Sequence, residues 1–159
     1  MAIYLKIEGD FPGNVTSSGH EDWIEVESMQ FGVGRGITMA VGSSKDREAS
    51  EPSVSEIVVT KMMDATSPKI FREACIGKSK KVEIHLVRTT EGNFETYMEY
   101  VLSSTLISGY SVSSGGDRPS ESITFNFTKI EMNYVKYKDD HTKDGNIPAS
   151  YDLALGNAS

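Results

Sequence analysis

The chain has 159 residues, 38% of them hydrophobic, with a mean hydropathy of −0.33, which suffices for one domain with a buried core and is short for two. Its 23 acidic against 16 basic residues give a formal net charge of −7, which excludes the basic footprint of a nucleic-acid binder and argues against adhesion to anionic membranes. No apolar run approaches the roughly 20 residues of a membrane span, and the single cysteine, Cys75, excludes an intramolecular disulfide.

The N-terminus reads MAIYLKIE, without a basic region ahead of an apolar one, so the protein is expected to be made in the cytoplasm and exported without a signal peptide. Ile3, Leu5 and Ile7 alternate with Tyr4, Lys6 and Glu8, which predicts a strand with one apolar face. Residues 9–19 (GDFPGNVTSSG) are turn chemistry. Residues 22–31 predict a second strand, whose apolar phase starts on Ile24 and Val26 and moves to Met29 and Phe31. A slip of one residue means a bulge, or a strand that passes from one packing environment to another.

Residues 32–52 have no clear period, and an extended loop is predicted over 36–51. Residues 54–61 (VSEIVVTK) predict another strand. A helix is predicted over 68–76, with Ser67 as its cap, Pro68 in the first turn and Gly77 ending it. Ile70, Phe71, Ala74 and Cys75 form its apolar stripe, and Cys75 is expected to be a small buried side chain. Residues 80–88 predict a strand, residues 89–93 a turn, and residues 94–138 a long hairpin. The first arm carries Phe94, Met98, Tyr100, Leu102, Leu106, Tyr110 and Val112 on one face. The return arm carries Ile123, Phe125 and Phe127, then shifts phase to Ile130, Met132 and Tyr134. The tail, residues 138–159, is polar apart from a possible short strand around 149–155. The fold class is therefore mainly β: a small antiparallel barrel or two-sheet domain with one helix, spanning residues 1–159.

Chemistry-bearing motifs are weak. Gly32-Val33-Gly34-Arg35-Gly36 has the glycines of a phosphate cradle, but no helix pattern follows it. Its glycines are expected to allow positive φ or a close backbone approach. His20, His85 and His141 lie in a turn, a strand and the tail, without metal-ligand spacing. Ser113, Ser114 and Ser120 lack a nucleophile elbow, and Arg118 is expected to pair with Glu121. No convergent set of catalytic groups appears, so the reading is not an enzyme, with no cofactor, no metal, no nucleic acid and no membrane insertion by the chain itself.

The hairpin LISGYSVSSGGDRPSESITFNFTKIE (106–131) resembles the hairpin of the haemolysin-coregulated proteins, the tube subunits of type VI secretion. The start MAIYLKIEG, the entry FGVGRG (31–36), the block PSVSEIVVTKMMD (52–64) and the helix SPKIFREA (67–74) resemble the same family in the same order. The resemblance implies a β-barrel flanked by a helix and assembly into a hexameric ring. It also implies stacking of rings into a tube, contact with a spike protein and a contractile sheath, small effector proteins carried in the lumen, and delivery outside the producing cell. On that reading Met29 and Phe31, or Ile130, Met132 and Tyr134, are expected between subunits, and Gln30 in the lumen. The loop residues Ser43, Ser44, Lys45, Asp46, Arg47 and Glu48 are expected to touch the next ring. Reversing the charge of Arg47 or of Glu48 is expected to weaken stacking more than ring formation, and unchanged tube lengths in electron micrographs would refute that assignment. Alternatives are a phage-like tail tube protein, separable by gene neighbourhood, and a small β-barrel ligand-binding domain, which predicts a closed pocket in a monomer.

Overall fold

The computed structural model describes residues 1–39, 41–42 and 47–159. In chain order the first strands are β1 (Ala2–Ile7), β2 (Ile24–Val26), β3 (Ser28–Gln30), β4 (Val33–Gly34), β5 (Ile37–Met39), β6 (Arg47–Ala49), β7 (Ser53–Val54) and β8 (Ile57–Met62). The helix α1 (Ser67–Ile76) follows. Then come β9 (Lys80–Thr90), β10 (Asn93–Ser113), β11 (Ser120–Asn126), β12 (Lys129–Tyr137), β13 (Lys143–Asp152) and β14 (Asn157–Ala158).

The strand β10 is 21 residues long and belongs to two sheets. Its first half lies between β9 and β12, and its second half pairs with β11. Register shifts between Thr96 and Met98, between Leu102 and Thr105, and between Ile107 and Gly109 bend it along its length. Ser104, inside the middle shift, has φ of 48°. The bend lets one strand serve both sides of a barrel that runs β2–β1–β9–β10–β11–β8–β3. The circuit closes because β2 and β3 are consecutive in the chain, with Glu27 N–H donating to Thr60 C=O at 2.7 Å at their junction.

Both phase slips mark changes of sheet. Before the first, Ile24 and Val26 pair with β1; after it, Met29 pairs with Val59 of β8. Before the second, Ile123 and Phe125 lie between β10 and β8; after it, Ile130 and Met132 lie between β10 and β13. Because side chains alternate with a period of two, one extra residue at the crossing presents the opposite parity to the same core. That core holds Leu5, Ile24, Ile57, Val59, Ile84, Leu102, Ile123 and Phe125, all buried.

Several expectations are corrected. The described residues of 36–51 are not an irregular loop: β5 pairs with β6 and, nearer the barrel, β4 pairs with β7, which makes an antiparallel ribbon. The glycines at its base do not have positive φ. Only Gly36 has a close neighbour, with Ser50 Oγ 2.9 Å from where a Cβ would stand. The tail is not a short strand, because β13 covers ten residues and pairs with β12 along its length. Thr66, not Ser67, occupies the helix N-cap position, while Gly77 ends the helix with φ of 72°. Of the helix stripe only Ile70 is fully buried; Phe71 and Cys75 are exposed. The reason is that α1 rests on β10 by one edge rather than lying in a groove between layers.

Ser67 is diverted to a buried polar knot. Its hydroxyl donates to Glu121 and accepts from Asp64 N–H at 3.0 Å. Lys61 Nζ, with its side chain wholly buried, donates to Asp64 at 3.1 Å and to Glu121 at 3.3 Å. Arg118 accordingly does not pair with Glu121; it donates to Met63 C=O from Nε and Nη2 at 2.9 and 2.7 Å. The knot ties β8, β11 and the start of α1 together, and each buried charge has a partner there, as burial demands.

Candidate assembly interface

The face of the sheet that forms the core in β1, β9 and β10 does not stop at the barrel wall. Across the strands, Leu5 stands opposite Ile84, Ile84 opposite Tyr100, Tyr100 opposite Met132, and Met132 opposite Ala149. The neighbouring row continues from Met98 to Tyr134 and Ile147. Within the barrel these positions are covered by β11 and β8; over β12 and β13 they lose that cover. Tyr134 is 39% exposed and Ile147 54% exposed, although both lie on the core face.

Beside this bare face the base of the ribbon makes a groove of about 240 Å³. Phe31, Val33, Pro52 and Val54 form one wall, Met132 and Tyr151 the other, and Ile130 the floor. Phe31 is held by an edge-on contact with Tyr100, centroids 5.6 Å apart. The ribbon is fixed at its root by Gly32 N–H donating to Ser55 Oγ and by Ser55 N–H donating to Gly32 C=O, both at 2.8 Å. Farther out, Arg35 Nε donates to Ser50 C=O at 2.6 Å. Val33, opposite Val54 in the ribbon, is 65% exposed. An apolar side chain with a paired backbone and that much exposure is suited to burial against another chain.

Two of the strand edges left open among the described residues stand at the ends of the main strand order. The strand β14 pairs only with Tyr151 and Asp152 of β13, which leaves the outer edge of residues 143–149 unpaired by it. At the other end of the strand order, β3 pairs only with β8. Pro148 sits on the open edge strand, a position where a missing N–H is tolerated.

The structure distributes the expected site residues as follows. Phe31, Ile130 and Met132 come together in the groove, so the two sets expected as alternatives meet at one place. Ile130 is 5% exposed and belongs mainly to the chain's own core. Met29 is half-buried against the core, and Tyr134 lies on the bare face beyond the groove. Gln30 is exposed on β3, opposite Val58. Ser43, Ser44, Lys45 and Asp46 lie outside the described residues; Arg47 and Glu48 belong to β6, opposite Met39 and Thr38. Sequence reasoning missed Pro52, Val54, Ala149 and Tyr151. Tyr151 pairs with Ile130 only through the long β13 register, which the polar composition of the tail concealed.

The profile described as "Type VI secretion system effector, Hcp" matches residues 4–134. The chain belongs to the Hcp family. Protein hcp1 of Pseudomonas aeruginosa is 28% identical over 152 residues, covering 94% of this chain and 91% of that protein. The fold is similar to a structure described as that of a type six secretion system protein, with a TM-score of 0.87 and 26% identity over 99% of each chain. It is also similar to Hcp1 from Salmonella typhimurium, with a TM-score of 0.78 and 23% identity over 99% of this chain and 98% of that one. The Hcp family is structural rather than enzymatic, and membership assigns the chain to the type VI secretion apparatus as a secreted component.

Proposed function

We propose that this chain is the ring subunit of a type VI inner tube. Six copies close into a ring, rings stack into a tube that meets a spike protein and a contractile sheath, and small effector proteins travel in the lumen. The observation that carries this reading is the core face that runs on to the exposed Tyr134 and Ile147, beside the apolar groove at the ribbon base. A second chain laid on that face would complete a layer that the first chain leaves unfinished.

The geometry favours a closed ring over a two-fold dimer. Two of the open edges belong to different strands, β13 and β3, toward opposite ends of the main strand order. Joining one kind of edge or patch to another is a heterologous contact, which repeats around an axis until it closes. The ribbon, rooted at Gly32 and Ser55, would reach a neighbouring ring, and the test for Arg47 and Glu48 is tube length by electron microscopy.

Light scattering after size exclusion tests the reading. Six copies of a 17.4 kDa chain give about 104 kDa. A monomer at high concentration and low salt would refute ring assembly.

A further inference from the structure

The opposite face of the same sheet is covered by the chain itself. Residues 9–23 leave β1, fold across the outer face of β1 and β9, and return into β2. Gly13 N–H donates to Asp22 C=O at 2.8 Å and Val15 N–H to Trp23 C=O at 3.1 Å, which ties the segment into a closed loop. Gly13 is required there, since a Cβ would stand 2.1 Å from Trp23 C=O. Tyr4, Val15, Trp23 and Val87 make a small core under this segment, separate from the barrel core.

At its centre two histidines 65 residues apart face each other, with His20 Nε2 and His85 Nδ1 at 2.9 Å. Trp23 packs on both rings, at 4.8 Å from His20 and 4.5 Å from His85, and Tyr4 packs on His20 at 5.1 Å. His20 is 6% exposed, and among the described residues no well-aligned hydrogen-bond partner meets its other, buried ring nitrogen, Nδ1. A hydrogen bond between two imidazoles needs one ring to donate and the other to accept. It survives with no proton or one proton added to the neutral pair. A second proton turns both facing nitrogens into donors and sets like charges against each other under an apolar cover.

We propose that His20 and His85 form an acid-sensitive latch, whose double protonation releases residues 9–23 from the sheet while the barrel stays folded. The release is local because the latch belongs to the small outer core alone. It is independent of the assembly reading above.

The surroundings set the direction. Burial lowers the pKa of both rings below the usual histidine value, and this is the largest influence on each. Glu21 of the segment and Glu99 of β10 act the other way on His20. Glu99 and Glu83 of β9 do so on His85, while His20 and Lys143 of β13 push it further down. Glu99 stands opposite His85 in the sheet and accepts from Asn133 Nδ2 at 3.1 Å. On β1, Lys6 Nζ lies 5.8 Å from the Trp23 ring centroid, and Glu25 of β2 stands opposite Tyr4. The folded state thus prefers neutral rings. Its advantage is complete above the unfolded histidine value near 6.5 and declines as pH falls through the lower folded values.

Trp23 is the only tryptophan in the chain and reports on the latch directly. The full-length protein, in whatever assembly it forms, is taken from about pH 7.5 to about pH 4.5 while tryptophan emission and hydrogen exchange are followed. The expected result is a change in emission with at least about tenfold faster exchange in residues 9–23, corrected for intrinsic rates, while β8, β10 and β11 stay protected. H20Q and H85Q should each blunt both changes. Exchange in residues 9–23 that ignores pH, acceleration of all amides together, or variants that open as the parent does would each overturn the proposal. Should either variant fail to fold, nuclear magnetic resonance titration of the parent decides: two rings titrating independently near 6.5 would refute the latch.

Discussion

The barrel interior and the groove side use the same kinds of residue, and differ in who covers them. Phe125, between Ile107 and Ile57 in the sheet, is wholly buried by the chain's own strands. Met132 and Tyr134 lie on the continuation of the core face, where Met132 is half-buried and, among the described residues, no second layer covers Tyr134. The polar groups follow the same division. Lys61 and Glu121 are fully enclosed and mutually satisfied, whereas among the described residues the backbone edge of β13 is left open over most of its length. One region is finished by folding and, on the proposed reading, the other by association, so substitutions in the two should fail in different ways.

The sharpest break of this contrast is in the interior. F125A should cost about 4 kcal/mol, since a fully buried ring is lost and its cavity collapses only partly; thermal unfolding should show it whether or not rings form. Next comes E121Q, expected to cost about 3 kcal/mol because Lys61 keeps its charge in a dry site with Asp64 as its remaining acid. The triple variant K61M/D64N/E121L, which removes all three charges of the knot, should recover most of that loss in denaturant unfolding. A lasting deficit in the triple variant would show that the ion pairs themselves, rather than avoidance of an unpaired charge, support the fold.

V33D addresses the other region. Val33 is mostly exposed in the single chain, so the fold should change by less than about 0.5 kcal/mol. Assembly should nonetheless collapse from about 104 kDa toward the 17.4 kDa chain. Retention of the full mass by V33D would remove the groove from the subunit contact.

The smallest effect is expected where two turns meet at one end of the sheet. His141 Nδ1 donates to Glu95 at 2.7 Å and Nε2 to Glu91 at 3.2 Å when the ring is charged. These hydrogen bonds, to Glu95 first and Glu91 second, raise the His141 pKa. A raised folded value means extra stability that is complete below about 6.5 and lost as pH rises through the folded value. H141Q should therefore be less stable than the parent in mild acid, with the gap closing in mild alkali. A pH-independent gap between the two unfolding curves would contradict this.

The β-rich class, the helix ended by Gly77 and the turn at Glu91-Gly92 were legible from local chemistry. Glu91 and Gly92, with φ of 50° and 82°, adopt the conformation that a tight two-residue hairpin turn needs. The phase slips were legible as irregularities, and the structure gives their meaning as crossings between sheets. The candidate site was only half legible. Phe31 and Met132 stood out as apolar residues out of phase, but Tyr151 and Ala149 lie in a polar-looking tail. The burial of Tyr4 and Glu95, both on faces expected to be polar, arises from segments distant in sequence: residues 13–23 over Tyr4, and His141 with Arg88 at Glu95.

Outside the ribbon and β13, the sequence by itself determined which residues extend, which turn, and where a strand changes the face it buries, because these follow from side-chain alternation and backbone preferences within a few residues. Only the tertiary structure decided what lies across each face. It brought His20 to His85, Lys61 to Glu121 and Tyr151 to Ile130, and left Tyr134 and Ile147 exposed on the core face. Pairings of that kind depend on the register and bending of a 21-residue strand shared by two sheets, a property of the whole chain that no local stretch encodes.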